Sequence, residues 1–173
     1  MPRTPMNTQD KDLMGKYGEA IFFTHLIEDI LELLLKDAAH FELNGYHSSR
    51  RKIEKMKFEE RILEFGRAFP DASDEVRKLD LLRRIRNKFA HAMISQVGSD
   101  FRTGEGRDQI HAMLSRFVVH AAGQQKLLGK RYESLVKNVV KTDIRHVMNR
   151  PDTALNARVA DSEIETLLSE LDK

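Results

Sequence analysis

Leu79-Asp80-Leu81-Leu82-Arg83-Arg84-Ile85-Arg86-Asn87-Lys88-Phe89-Ala90-His91-Ala92-Met93 makes two demands on one piece of chain. Val76, Leu79, Leu82, Ile85 and Phe89 recur at steps of three and four, the period of a helix that buries one stripe. Between them stand four cations, Arg83, Arg84, Arg86 and Lys88, and a single histidine, His91, follows Asn87 by four. At about 100° per residue, Arg84, Asn87 and His91 share the face opposite the stripe, while Arg86 lies about 140° from His91. A guanidinium, an amide and an imidazole so close together suit a phosphate and a proton transfer. Arg86 and His91 can meet at one substrate if the arginine reaches around the helix, if the helix end deviates, or if a second copy of the chain contributes. The same residues also fit a solvated basic face whose histidine sits near a helix C-terminus, where the dipole favours positive charge.

Working outward, the segment just upstream has one apolar face, Phe58, Ile62, Phe65 and Phe69, and Pro70 stops it. Asp71 or Ser73 can cap the next helix, expected over about Asp74 to Met93, with Asp74 and Glu75 favourable in its first turn. So short a connection predicts antiparallel neighbours. Before these, about Asp12 to Phe41 is helical, with Leu13, Tyr17, Ile21, Phe22, Leu26, Ile30, Leu33 and Leu34 spread over most of its circumference. Its polar residues His25, Glu28 or Asp29, Glu32 and Lys36 form one narrow stripe, so it is expected as a central helix buried nearly all round. Asn44-Gly45 supplies the left-handed stop. Downstream, Ser95–Arg107 with its three glycines is expected as a loop. Helical patterning resumes from Asp108 to about Met148 through Ile110, Met113, Leu114, Phe117, Ala121, Leu128, Tyr132, Leu135 and Val139, with Gly123 and Gly129 as places to split or bend. After Arg150-Pro151, Ser162-Glu163-Ile164-Glu165 is a capping box opening a short amphipathic helix through Ile164, Leu167, Leu168 and Leu171.

The fold class expected is all-α: a bundle of four or five helices over residues 11–150, a loose arm over 1–10, and an acidic linker and helix over 151–173. At 173 residues the chain is long enough for a real core. It has no cysteine, which excludes a disulfide framework, a thiol nucleophile and a thiolate metal site. The most hydrophobic run, Ile21–Leu35, holds His25, Glu28, Asp29 and Glu32 and is too polar to span a membrane. Met1-Pro2-Arg3-Thr4-Pro5 is followed by no apolar signal region, so a cytoplasmic protein is expected. The whole chain carries +2 and residues 151–173 carry −4, which leaves +6 on residues 1–150.

Arg86-Asn87-Lys88-Phe89-Ala90-His91, preceded by Leu81-Leu82-Arg83-Arg84-Ile85 and followed by Ala92, resembles the Arg-x(4–6)-His signature of the HEPN superfamily. Phe58-Glu59-Glu60-Arg61-Ile62-Leu63-Glu64-Phe65-Gly66-Arg67-Ala68-Phe69, with the short acidic connection after it, resembles the mannitol operon repressor-like branch. The resemblance covers about Lys57–Met93, and the outer helices by general pattern. It implies a small helical bundle that cleaves single-stranded RNA without a metal or cofactor, leaving a 2′,3′-cyclic phosphate, in a homodimer whose cleft lies between protomers. His91 would be the acid–base group, Arg86 would bind the scissile phosphate, and Asn87 would orient the imidazole or hydrogen-bond the substrate. Stress, toxin–antitoxin or antiphage roles follow from the resemblance alone. Position 93, two after the histidine, is methionine where toxins paired with nucleotidyltransferases carry tyrosine. The competing expectation is a non-enzymatic regulator, like the mannitol operon repressor, or a helical protein-binding module, taking a protein or nucleic acid through the basic face or the C-terminal helix; a third is a structural adaptor in which the Arg86-Asn87/His91 cluster only fixes helix packing.

Arg83, Arg84, Lys88, Arg50 and Arg51 are candidate contacts to an RNA backbone by charge. Glu28, Asp29 and Glu32 can pair with Arg86 or Arg84 and hold a guanidinium in place, or stand as a solvated stripe with Glu–Lys spacing to Lys36. His25 reads as a bundle histidine with its hydrogen bonds met rather than as a second catalytic group. Neither His40/His47 nor His111/His120 has metal-ligand spacing with a carboxylate partner, so no metal site is expected.

Overall fold

The computed structural model describes residues 8–95 and 103–148, and the side chains of 11–90 and 103–142. The protein is an all-α bundle with no strand among the described residues. In chain order come α1 (Thr8–His40), a 3-10 turn (Leu43–Gly45), α2 (Arg50–Lys55), α3 (Phe58–Ala68), α4 (Ser73–Ser95) and α5 (Gly104–Met148). The chain divides into two compact units, residues 1–129 and 130–173. In the second, residues 130–148 are helical. The expected arm ahead of residue 8, the capped helix after Ser162 and the centre of the 95–107 loop lie outside the described residues.

Phe58, Ile62, Phe65 and Phe69 are all buried, as their spacing predicts. Side chains of this size contribute about 1.5–3 kcal/mol each when fully buried. The backbone N–H of Lys57 donates to the Glu60 carboxylate (3.0 Å), closing the start of α3. At its other end the Ala68 carbonyl accepts from Asn44 Nδ2 (2.8 Å), which ties the 3-10 turn to α3. Glu42, Asn44 and Gly45 there have positive φ (51°, 53° and 71°), so the Asn-Gly stop carries the left-handed geometry its sequence predicts. Upstream, Ser49 accepts from the Lys52 N–H and caps a separate short helix, α2. Extended backbone at Met56 and Lys57 keeps the basic segment from running on into α3.

Three expectations are corrected. First, α1 buries one stripe rather than its whole circumference. Ala20, Thr24, Ile27, Leu31, Leu34, Leu35 and Ala38 are buried, whereas Ile21 and Leu33 are exposed and Phe22 is 59% exposed. The acidic stripe turns inward at Glu28 and Glu32, because α3 and α4 present arginines to it. Second, α5 starts at Gly104, inside the expected loop, because Thr103 caps it by accepting from the Gly106 N–H (3.1 Å). Gly123 and Gly129 leave α5 unbroken. Third, Met113 is exposed rather than in the core, whereas Leu114, Phe117 and Ala121 are buried.

The helices pack backbone to backbone most extensively where α1 meets α3 and α3 meets α4. Gly66 permits the second approach: a β-carbon there would lie 3.2 Å from Val76 Cγ2. Up to residue 129, α5 joins through long side chains. Phe117 meets Phe89 of α4 edge to face (6.0 Å, 81°), and His111 Nε2 lies 2.8 Å from the Asp12 carboxylate of α1. Two cavities open beside that aromatic pair, and both rings line both cavities.

Candidate functional site

Arg86 projects from α4 toward α1. Its Nη2 donates to Glu28 Oε1 (3.2 Å) and its Nη1 to Asn87 Oδ1 (3.4 Å). The side chain remains 38% exposed against 19% for Glu28, so the carboxylate holds one edge of a guanidinium that still reaches solvent. A guanidinium has five N–H donors, and two such bonds leave capacity for a phosphate oxygen.

The acidic stripe divides its work among its carboxylates. Glu28, rather than Asp29 or Glu32, holds Arg86. Asp29 is exposed and makes no ion pair among the described residues. Glu32 accepts from Arg61 Nη2 (2.6 Å) and from Lys36 Nζ (2.6 Å). Lys36 reaches on to Glu54 of α2 (2.9 Å). The hydrogen bond to Glu32, then that to Glu54, holds the Lys36 ammonium above its ordinary pKa. Arg61 is only 8% exposed and also donates to the Glu28 carbonyl (3.1 Å), so α1, α2 and α3 share one network of charges. Sequence reasoning missed Arg61. The signal was its place three after Phe58 and four before Phe65, within the apolar face itself.

The other candidate cations separate by exposure. Arg83 is 17% exposed and clipped between Asp80 (2.7 Å) and Glu59 of α3 (3.3 Å). It therefore fastens α4 to α3. Arg84 is exposed and pairs with Asp80 (2.8 Å), so neither carboxylates of α1 nor Asn87 engage it. Arg50 is exposed and pairs with Glu54 (3.2 Å). Arg51 and Lys88 are exposed and make no ion pair among the described residues.

The helix carrying the motif is α-helical through Ser95. An ideal helix keeps the backbone positions of Arg86 and His91 about 140° apart, so deviation of the helix end no longer brings them together. The His91 side chain lies outside the described residues. Arg86 lines a cavity of about 240 Å³ with Tyr17, Ile21 and His25 of α1, Phe89 of α4 and Phe117 of α5. The expected bundle role of His25 is not what the structure has: the residue is exposed and makes no hydrogen bond among the described residues. A second cavity of about 490 Å³ lies between α4 and α5, lined chiefly by Leu81, Leu82, Ile85, Met113 and Phe117, with Lys78 and Arg116 among its residues.

No group of three or more His, Asp or Glu able to hold a metal occurs among the described residues. No described helix is long and apolar enough to cross a membrane. Comparison with family models, curated proteins and solved structures gives no match to the chain.

Proposed function

We propose that the chain is a metal-independent endoribonuclease of the HEPN kind, acting on single-stranded RNA. The observation that carries the reading is the Arg86 guanidinium, held by Glu28 from another helix yet open to solvent beside a cavity. Arg86 would bind the scissile phosphate and stabilise the charge that develops on it. Asn87, already against the guanidinium, would help fix its direction. His91 would move the protons, as an imidazole near neutral pH can. The 2′-oxygen attacks phosphorus, the P–O5′ bond breaks, and a 2′,3′-cyclic phosphate and a 5′-hydroxyl remain. A cytoplasmic homodimer serving in stress or defence belongs to the same reading through the motif it rests on.

Cleavage of single-stranded RNA in EDTA is the test. We expect Arg86→Ala and His91→Ala each to lower the rate by about 10²-fold or more with folding retained. Cleavage unchanged in His91→Ala ends this mechanism. A second reading, a non-enzymatic regulator or protein-binding module, is favoured by the apolar cavity between α4 and α5, where Leu81 and Met113 are exposed. Tight binding of DNA or of a protein with no RNA cleavage would select it.

A further inference from the structure

We propose that His25 is a second acid–base residue of the Arg86 site; this rests on the ribonuclease reading above. The reaction moves two protons. One leaves the 2′-hydroxyl as the 2′-O–P bond forms, and one reaches O5′ as the P–O5′ bond breaks. A neutral imidazole accepts the first and an imidazolium supplies the second, so two histidines can divide the work and exchange protonation states over a turnover. The structure brings one histidine into the Arg86 cavity from outside the motif. His25 of α1 and Arg86 of α4 line the same cavity of about 240 Å³.

Three observations fit this role. His25 is exposed and engages no described partner, so its imidazole is not committed to packing. It stands one helical turn before Glu28, the residue that fixes Arg86, so one stretch of α1 sets both groups. On the helix bearing Arg86, the backbone position of His91 lies about 140° round from that of Arg86, whereas α1 places His25 at the arginine's own cavity within a single chain. Among the described residues, the titratable and charged groups that line the cavity with His25 are Arg86 of α4 and Tyr17 of α1, and Glu28 and Asp29 stand one helical turn further along α1; α5 contributes Leu114 and Phe117 to the cavity.

The experiment is the pH dependence of cleavage of a short single-stranded RNA by the full chain in EDTA, for wild type, His25→Gln and His25→Gly. We expect His25→Gln to lower the maximal rate by about 10²-fold and to remove one limb of a bell-shaped profile. Added imidazole should restore part of the rate to His25→Gly. Circular dichroism and the melting temperature of His25→Gln should match wild type, because the side chain is exposed, whereas His25→Gly should stay folded and melt about 2–4 °C lower through the helix propensity of glycine. Wild-type rate and both limbs retained in His25→Gln would overturn the inference and leave the ribonuclease reading standing. A uniform drop at every pH, without imidazole rescue, would also overturn it, since that marks a structural role. Wild type that cuts no RNA overturns the ribonuclease reading itself, and the inference with it.

Discussion

Arg61 is counted as surface by any hydropathy scale, yet it lies inside the bundle with its charge answered by Glu32 at 2.6 Å. A buried cation whose carboxylate is removed leaves an uncompensated charge, which is far costlier than losing a pair on the surface. Glu32→Ala should therefore lower stability by on the order of 2 kcal/mol, less than for a fully buried pair because Glu32 keeps some contact with water. Urea unfolding followed by circular dichroism checks this, and a loss within a few tenths would show that Arg61 is satisfied by the Glu28 carbonyl and solvent without Glu32. The acidic stripe was legible in the sequence as a stripe. Which carboxylate served which arginine was not, because Glu28 and Glu32 differ by one helical turn and only the position of the facing helix decides.

The contact between α3 and α4 depends on a residue with no side chain. Gly66 costs α3 some helix propensity, and the close approach of Val76 from α4 is what it permits. Gly66→Leu should destabilise the protein by about 1–3 kcal/mol through overpacking, read as a lower urea midpoint with an unchanged slope. At this scale the sequence was most informative. The Phe58 stripe, the Pro70 break and the Asn44-Gly45 stop rest on local chemistry, and each stands where the spacing puts it. The outward-facing Phe22 and Met113 were not legible, since an apolar residue on a helix declares no partner. The start of α5 was missed for another reason: a Thr cap outweighed the two glycines that follow it.

For the molecule as a whole, the roughly 140° between the backbone positions of Arg86 and His91 makes assembly part of the proposed site. If Arg86 of one copy works with His91 of another, equal amounts of Arg86→Ala and His91→Ala, mixed and allowed to exchange, should regain about a quarter of wild-type RNA cleavage, because half the dimers then carry one intact site of two. A mixture as inactive as its components would place both residues in a single chain. The motif was legible from residue order alone, and the unbroken α4 narrows how it can operate. The cavity that joins α1 to Arg86 was not legible, because Tyr17, His25 and Arg86 lie far apart in sequence.

The edge-to-face pair Phe89–Phe117 has a thermodynamic consequence. Each ring belongs to the cavity of Arg86 and also to the apolar cavity between α4 and α5. The two spaces therefore share the Phe89 and Phe117 rings as wall, and a turn of either ring would change the shape of both. Were a ligand in one cavity to turn a shared ring, the linkage would be reciprocal: it would alter affinity at the guanidinium by the same factor with which an anion there would alter affinity between α4 and α5.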